Sequence, residues 1–365
     1  MLEREIAVTI FPLLTAVAAV LGLAVGSFLN VVVWRLPRGE SLVHPGSRCP
    51  KCGHEIRPWE NIPVLSWLLL RARCSSCALP ISARYPTVEA ATGVLFLAVW
   101  WRVWHSAMPL SSVWGYLFLS AALLAAAQID LEHYLIPDKI TITGMAVGLG
   151  LALAFPDARL GIGPSGQAGT DQVITGAVLA RIGTMVPARL ASVLDAALGI
   201  AVGVGFLWLL REAGHRLWGR SRVRVDTPVR ATLTAAGVCL RDGSLDATWD
   251  DLLPRRGDAF TAQVVAFARG ADAAASAATP VRLTVSRASV TLGDTTMPIA
   301  GIGTIEADLA AWEHPREVMG CGDLKLLGMI GAFLGPDACV FTLMLGALAG
   351  CAWGVAHLVA ARSRE

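Results

Sequence analysis

Charged residues are scarce in this 365-residue chain: they make up 16% of the sequence, against about 25% in typical soluble domains. Several long segments contain no Asp, Glu, Lys or Arg. These are residues 6–34, 107–129, 140–156 and 338–361, with shorter ones at 196–210 and 326–336. A membrane-spanning helix needs about 20 mostly apolar residues. The scarcity of charge therefore excludes an ordinary soluble protein and predicts an integral membrane protein.

The N-terminus also lacks the basic region that precedes the core of a cleaved signal peptide, since Glu3 and Glu5 stand there. Its uncharged run is longer than the 7–15 residues of such a core. We therefore expect residues 1–34 to form a retained first transmembrane helix. Residues 86–101, interrupted only by Glu89, add one more apolar segment. Together these segments predict a polytopic α-helical membrane protein of about seven transmembrane helices.

Basic residues are concentrated in one connecting segment. The stretch from Trp34 to Tyr85 contains eight Lys or Arg residues and three Glu residues. Because loops with excess Lys and Arg stay in the cytoplasm, this segment is predicted to be cytoplasmic. Counting spans from it places the link 130–139 and the region from Arg211 to Asp323 in the cytoplasm. The links 106–111 and 157–190 are then predicted to lie outside.

Polar sequence returns between residues 219 and 312. The alternation in "VRLTVSRASVTL" (281–292) would put Val281, Leu283 and Val285 on one face of a strand. "DG" at 242–243 and "GD" at 257–258 and 293–294 are turn signals. We expect a small, mainly β cytoplasmic insert here, with a loop or short helix at the Ala-rich residues 271–278. The predicted segments are 1–34, 35–85, 86–218, 219–312 and 313–365.

Two cysteine pairs stand in the cytoplasmic segment 35–85. "CPKC" and "CSSC" place Cys49, Cys52, Cys74 and Cys77 in two C-x2-C pairs. Residues 53–73 separate the pairs, slightly more than the usual zinc-ribbon spacer of about 15–20 residues. Two disulfides are the alternative, but the cytosol is reducing. The pattern predicts a closed four-sulfur site for a structural Zn²⁺. We expect the other four cysteines to be small buried residues.

Two aspartates stand at the ends of uncharged runs. Asp130 follows one such run and Asp323 precedes another, and the orientation above places both at the cytoplasmic face of the membrane. Ionisable residues at the edges of spans are functional candidates. Two carboxylates brought together do not both ionise easily. The ionised one would take a proton from water, while the protonated one supports a carbonyl oxygen, as in an aspartic protease.

Other interpretations of these residues stay open. Asp323 also fits a helix N-terminus, where a carboxylate faces the positive end of the helix dipole. Glu132, His133 or Asp138 could take the place of Asp130, although Asp138 fits a helix cap behind a proline and His133 a solvated loop.

The residues around Asp323 are equally ambiguous. Gly320 and Gly322 would let a peptide approach the backbone, or would let helices pack tightly. Lys325 would stabilise the ionised form of a nearby Asp323, or would extend to the membrane surface.

The sequence resembles a known family in its motifs and their order. These are "GSFLNVVVWRLP" (26–37), the paired C-x2-C loop, "NIPVLSWLLLRARC" (61–74), "ISARYPTVEAATG" (81–93), "IDLEHYLIPD" (129–138) and "MGCGDLKLLGMIGAFLG" (319–335). They look like those of the bacterial type IV prepilin leader peptidases, which are G-x-G-D membrane aspartic proteases. Each motif alone is weak, but the order of the motifs and the cysteine pairs make the resemblance specific.

The resemblance implies an activity and a location. Such enzymes cut the leader from prepilins and pseudopilins at the cytoplasmic face of the bacterial inner membrane. Many then methylate the new N-terminus with S-adenosylmethionine. Carried over by motif, the catalytic aspartates are Asp130 and Asp323. The implied Zn²⁺ ligands are Cys49, Cys52, Cys74 and Cys77. The expected partners are these substrates and the lipid bilayer, with no nucleic acid.

A methyl-transfer role for the loop 35–85 follows from the resemblance alone. No G-x-G-x-x-G follows a strand, so a soluble-type nucleotide-binding fold is not indicated. Glu89 matches a family position beside the loop and is a candidate contributor. The alternative for Glu89 is an acid in the first turn of a helix, favoured by the helix dipole.

The sequence departs from the family in one place. About a hundred residues separate the span near 190–210 from the G-x-G-D segment, where the family normally has a short loop. Two rival functions remain at this stage. One is a peptidase without methyltransferase activity. The other is a transporter or assembly scaffold that uses the two aspartates for proton or cation handling.

Overall fold

A computed structural model describes residues 2–106, 108–156, 188–243, 245–253, 258–269, 275–316 and 319–362. The chain forms two compact units. The helical unit comprises Met1–Trp208 and Cys321–Glu365, and the β unit comprises Leu209–Gly320. The predicted outer link 157–190 lies almost entirely outside the described residues.

Nine α-helices are described in these ranges. They are α1 (Leu2–Arg35), α2 (Leu65–Leu69), α3 (Arg84–Trp104), α4 (Ser112–His133), α5 (Asp138–Ala154), α6 (Ala188–Trp218), α7 (Trp249–Leu252), α8 (Cys321–Leu334) and α9 (Pro336–Arg362). Two 3-10 helices cover Pro58–Asn61 and Ile299–Gly301. The short α7 belongs to the β unit, and α2 lies in the loop between α1 and α3.

Four of these helices are long and apolar enough to cross a bilayer. They contain the segments Ile10–Arg35, Ser112–His133, Arg189–Trp218 and Pro336–Ala360. The prediction of a membrane protein is therefore confirmed. The other three predicted segments are also helical, in α3, α5 and α8, but these helices are shorter or carry more charge. Seven spans, and the orientation of the chain, stay predictions.

Glycine controls how the central helices pack. A Cβ atom at Gly199 of α6 would collide with the backbone of Gly331 in α8, and the reverse holds for Gly331. On the other side of α8, a Cβ atom at Gly148 of α5 would lie 2.8 Å from the Cβ of Ala332. Small residues of this kind let helix backbones approach closely inside a membrane. The helix that carries Asp323 is thereby held between α5 and α6.

The β unit contains one antiparallel sheet of eight strands. The strands are β1 (Arg220–Leu233), β2 (Gly237–Leu240), β3 (Asp246–Thr248), β4 (Ala259–Arg269), β5 (Ala275–Ser286), β6 (Ser289–Leu292), β7 (Thr295–Pro298) and β8 (Ile305–Pro315). Their order in the sheet is β3-β2-β1-β8-β4-β5-β6-β7. The first and last long strands pair with each other, with Arg220 opposite Pro315.

Alternating apolar residues of these strands form the core of the β unit. Leu283 and Val285 of β5 are almost fully buried, with Phe260 and Leu309 on neighbouring strands. The predicted β-rich insert is therefore present, and turns occur at Gly243 and Gly293, both with positive φ.

Two details of the sequence interpretation are wrong. The Ala-rich stretch is a strand from Ala275 onward, because β5 pairs there with β4 and strand pairing overrides helix propensity. Residues 271–274 lie outside the described part. Of the four isolated cysteines, Cys339 alone is buried, whereas Cys239, Cys321 and Cys351 are exposed. Two of these three lie in or beside apolar helices, where burial in protein is not required.

Candidate active site and metal site

Asp130 lies in the last turn of α4, with an exposed side chain. The preceding residue, Ile129, is completely buried, so the carboxylate stands at the edge of the packed face. Tyr134 ends the helix in a left-handed conformation and donates its backbone N–H to the carbonyl of Asp130 at 2.8 Å. The helix end therefore fixes the backbone that carries this carboxylate.

Asp323 lies in the first turn of α8, beside the buried Leu324. Gly322 packs against Ile136, in the link between α4 and α5: a Cβ atom at Gly322 would lie 2.8 Å from the Ile136 Cβ. Only glycine fits this close approach. The contact favours tight packing as the role of Gly322. It also brings the start of α8 to the link that follows Asp130.

The two aspartates act on each other electrostatically although 193 positions separate them. The charge of Asp130 acts on Asp323, which lies at the start of α8. The fold thus places the carboxylates that the sequence analysis singled out within electrostatic range of each other. Their catalytic roles stay predictions.

Two ion pairs surround these carboxylates. Lys325 Nζ lies 2.6 Å from Asp138 Oδ1, which connects the start of α8 to the start of α5. Arg84 Nη2 lies 2.7 Å from Glu132 Oε1, which connects α3 to the end of α4. The sequence analysis missed both pairs. Lys325 and Asp138 are 187 positions apart, and no local pattern indicates such a partner.

The interpretation of Asp138 changes accordingly. α5 begins at Asp138, but Pro137 occupies the cap position and the Asp138 side chain does not serve as a cap. Its described partner is Lys325. Glu132 likewise has a structural partner in Arg84, whereas Asp130 is the carboxylate of this helix end that interacts electrostatically with Asp323.

The four predicted metal ligands lie together in the loop between α1 and α3. The sulfur atoms of Cys49, Cys52, Cys74 and Cys77 all lie within 4.8 Å of one another. The Cys49 and Cys77 sulfurs are 3.7 Å apart. A tetrahedral Zn²⁺ with Zn–S bonds of about 2.3 Å requires sulfurs about 3.8 Å apart. The four thiols therefore fit a metal ion of this kind.

Both cysteine pairs adopt the same turn. The N–H of Cys49 donates to the His54 carbonyl, and the N–H of Gly53 donates to the Cys49 carbonyl. In the second pair, Cys74 donates to Leu79 and Ala78 donates to Cys74 in the same pattern. Gly53 and Ala78 occupy the equivalent position with φ of 70° and 56°. Backbone hydrogen bonds from Cys52 and Lys51 lower the pKa of Cys49 to about 6. The lowered pKa favours the thiolate that binds metal.

A polar cluster links the two turns. Glu60 accepts hydrogen bonds from the Arg57 N–H at 3.0 Å and from His54 at 3.1 Å. His54 Nε2 in turn lies 3.3 Å from the hydroxyl of Ser75. The Arg57 N–H, then Ser75 and His54, hold the pKa of Glu60 at about 2. Glu60 therefore stays ionised and joins the segments on both sides of the sulfur cluster.

Glu89 has a structural role that the sequence did not indicate. Its side chain is buried in the second turn of α3, so the interpretation as a first-turn acid is wrong. Glu89 Oε2 accepts a hydrogen bond from the backbone N–H of Val64 at 2.7 Å. A role for Glu89 in methyl transfer stays a prediction.

Comparison with known proteins adds two family matches. Residues 20–103 match the Bacterial Peptidase A24 N-terminal domain, and residues 280–355 match the Type IV leader peptidase family. The first range contains the four clustered cysteines and Glu89, and the second contains Asp323. Asp130 lies in neither range. No solved structure matches the chain.

Several curated proteins are similar to parts of the chain, each named prepilin leader peptidase/N-methyltransferase. The protein of Myxococcus xanthus is 48% identical over 157 residues, which cover 41% of this chain and 45% of that protein. The Pseudomonas aeruginosa protein is 41% identical over 172 residues, covering 39% and 57%. The Neisseria gonorrhoeae protein is 41% identical over 162 residues, covering 38% and 55%. The chain thus matches about half the length of these relatives.

The matched ranges contain all the motifs that carry the resemblance except "IDLEHYLIPD" (129–138). They lie on either side of the β unit or reach into its last strands, and the helical unit carries both the clustered cysteines and the G-x-G-D segment. The resemblance is therefore confirmed: in its N-terminal and C-terminal parts, this chain is similar to the bacterial type IV leader peptidases.

Proposed function

We propose that this chain is a membrane aspartic endopeptidase that removes the leader peptide of type IV prepilins or pseudopilins. The observation that carries the proposal is the electrostatic interaction between Asp130 at the end of α4 and Asp323 at the start of α8. The family matches and the names of the relatives support the substrate class. The substrate would be a peptide that reaches the two carboxylates from the side of the membrane where α4 ends and α8 begins.

The paired carboxylates supply the chemistry of peptide hydrolysis. When two carboxylates share one catalytic site, one of them stays protonated near neutral pH. The ionised carboxylate takes a proton from water, whose oxygen adds to the carbonyl carbon of the scissile bond. The protonated carboxyl donates a hydrogen bond to the carbonyl oxygen as it gains charge. Collapse of the tetrahedral intermediate breaks the C–N bond, and the amine leaves with a proton.

The surrounding contacts position these groups. The Lys325–Asp138 ion pair and the close contact of Gly322 with Ile136 hold the start of α8 against the link between α4 and α5. The Arg84–Glu132 pair holds the end of α4 against α3. Because each pair joins helices far apart in sequence, together they restrict the separation of the two aspartates.

The four-cysteine cluster would hold a structural Zn²⁺. When bound, the ion would cross-link the two turns of the loop through Cys49, Cys52, Cys74 and Cys77. A closed site with four sulfur ligands has no open position for substrate. Glu60 and His54 would stiffen the loop around it.

We also propose that the chain methylates the new N-terminus, with S-adenosylmethionine as the methyl donor. The support is the printed activity of the similar proteins, together with the match of residues 20–103 to the N-terminal domain of the family. Transfer would move the methyl group from the donor sulfur to an unprotonated amine nitrogen, which then loses a proton. The residues that bind the donor are not assigned.

For the topology, we propose seven spans, with α3, α5 and α8 completing the bundle of the four long helices. The loop 35–85 and the ends of α4 and α8 that carry the aspartates would face the cytoplasm of a bacterial inner membrane. The excess of Lys and Arg in that loop and its four thiols support this orientation.

Cleavage of a synthetic prepilin by the purified full chain in lipid tests the proposal. We expect Asp130→Asn and Asp323→Asn each to lower the cleavage rate by about 10²–10⁴-fold. Glu132→Gln is the matched control, because Glu132 lies two residues from Asp130 but pairs with Arg84. It should retain most of the activity. Wild-type cleavage by either aspartate variant would rule out the mechanism.

Mass analysis of the product tests the second activity. With the methyl donor present, the mature N-terminus should gain one methyl group. An unmethylated product would leave a peptidase alone, and an uncleaved substrate would favour a transporter or scaffold. Metal analysis of a variant with all four clustered cysteines changed to Ser should show loss of bound zinc.

A further inference from the structure

The loop between α1 and α3 carries an exposed apolar patch. The patch consists of Trp59, Ile62, Leu65, Leu68 and Leu69, whose exposed fractions are 62%, 43%, 48%, 58% and 71%. The three leucines lie at positions i, i+3 and i+4 of α2 and therefore share one face of that helix. Apolar side chains gathered on one surface indicate contact with an apolar partner.

The opposite side of α2 is bound to the protein. Trp67 donates its indole N–H to the carbonyl of Ile81 at 3.0 Å, just before α3 begins. At the start of α2, the Val64 N–H donates to Glu89 Oε2 at 2.7 Å. The leucine face therefore points away from the protein and cannot turn inward without breaking these contacts.

These contacts also relate the patch to the candidate span of α1. Glu89 packs against α1 at Gly26, where a Cβ atom would lie 2.7 Å from the Glu89 Cα. Gly26 precedes Arg35, the end of the candidate span Ile10–Arg35, by nine residues, which is roughly 14 Å along a helix. The headgroup layer on each side of a bilayer is only about 5–8 Å thick. With the end of this candidate span at the membrane surface, Val64 and the start of α2 would lie at or below the headgroups.

Charge around the patch fits the same environment. Arg57, Arg71 and Arg73 are exposed and flank the patch in sequence, and the Arg57 guanidinium lies 5.6 Å from the centre of the Trp59 ring. Tryptophan and arginine together are typical of membrane interfaces, and clustered basic residues attract anionic headgroups.

We propose that residues 57–73 form an interfacial membrane anchor, in which Leu65, Leu68 and Leu69 insert at the headgroup–acyl boundary of anionic lipids. The buried Glu89 then has a defined structural role. It accepts the hydrogen bond of a backbone N–H that has no water available at this depth. The metal-binding loop is docked on the bilayer and does not move freely in the cytoplasm. The proposal does not depend on the proposed peptidase or methyltransferase activity.

Fluorescence quenching in reconstituted full-length protein tests the anchor. A fluorescent amino acid is incorporated at Leu69, and in a separate sample at Glu40, which is exposed and lies beyond the end of α1. We expect phospholipids with a nitroxide near the headgroup to quench the Leu69 label, whereas aqueous iodide should not. The Glu40 label should behave in the opposite way. Unchanged metal content confirms that each labelled loop is folded.

Three outcomes would overturn the proposal. The first is that iodide quenches the Leu69 label as strongly as the Glu40 label. The second is that iodide reaches Leu69 until a prepilin peptide is added, which would assign the patch to substrate. The third concerns the role of charge. We expect lipid quenching at Leu69 to rise about twofold when phosphatidylglycerol replaces part of the phosphatidylcholine. Equal quenching in both vesicles would contradict the role of the arginines.

Discussion

The β unit and the helical unit are each stabilised internally by a different kind of packing. In the β unit, large side chains such as Phe260 and Leu309 fill a common core and are fully buried. In the helical unit, the contact between α6 and α8 is made by glycine backbones, at Gly199 and Gly331. Water drives apolar area together in the first case. In lipid that drive is absent, and close packing of backbones replaces it. A large side chain therefore stabilises the core of the β unit, but it would disrupt the contact between α6 and α8.

The largest expected effect is that one added side chain prevents the helical unit from folding. Gly331→Leu would force α6 and α8 apart, because even a Cβ atom at this position meets the backbone of Gly199. We expect no folded protein to be recovered from detergent, as size-exclusion chromatography would show. Gly346→Leu in α9 is the matched control, since a Cβ atom there has nothing within 4 Å. If both variants fold equally well, glycine packing does not hold this unit together.

Replacing a large side chain by a small one should destabilise the β unit. Phe260→Ala removes a completely buried ring and should lower the free energy of unfolding of this unit by about 3–5 kcal/mol. Hydrogen exchange of the strand amides measures the loss. The exposed Thr295→Ala should change it by less than about 0.5 kcal/mol. The metal content of the cysteine cluster should not change in either variant. A loss of metal in Phe260→Ala would show that the two units do not fold separately.

The ion pairs of the two units should also differ in importance: a pair in the helical unit should affect cleavage, whereas a pair on the sheet should not. Lys325→Asp or Asp138→Lys alone should lower prepilin cleavage several-fold, because the pair joins the start of α8, which carries Asp323, to the start of α5, which follows the end of α4 that carries Asp130. The double exchange should restore part of that activity. On the sheet, reversing the exposed Arg230–Asp308 pair should change stability by less than about 1 kcal/mol and leave cleavage unaltered. Failure of the double exchange to restore cleavage would remove the positioning role of the Lys325–Asp138 pair.

The smallest effect concerns glycine in the two cysteine turns. Ala78 holds a left-handed conformation that the equivalent Gly53 adopts without strain. Ala78→Gly should relieve about 1 kcal/mol, which corresponds to about fivefold tighter metal binding. Gly53→Ala should weaken binding by a similar factor. Competition with a chromophoric chelator measures both. If Ala78→Gly does not tighten binding, the two turns are not equivalent.

Some of this architecture could be predicted because it depends on local composition. A run without charge predicts a helix in lipid wherever it occurs, and the runs 6–34, 107–129, 196–210 and 338–361 each lie mostly within a long apolar helix. The cysteine cluster was equally accessible, because its spacing reflects a turn of fixed geometry. Alternation in residues 281–292 likewise indicated the strands of the β unit.

Features that depend on tertiary contacts could not be predicted in this way. The partner of Lys325 lies 187 positions away, and Asp138 fitted a helix cap by sequence alone. Glu89 was attributed to a helix dipole or to methyl transfer, since nothing in the sequence shows that Val64 needs its carboxylate. The Ala-rich strand beginning at Ala275 was missed because pairing with β4 decides its conformation.

The pairing of β1 with β8 has a consequence for the two ends of the β unit. Arg220 and Pro315 lie opposite each other on neighbouring strands, so the two points of attachment are only about 5 Å apart. A module whose ends meet can be spliced into a short hairpin without stretching the chain on either side.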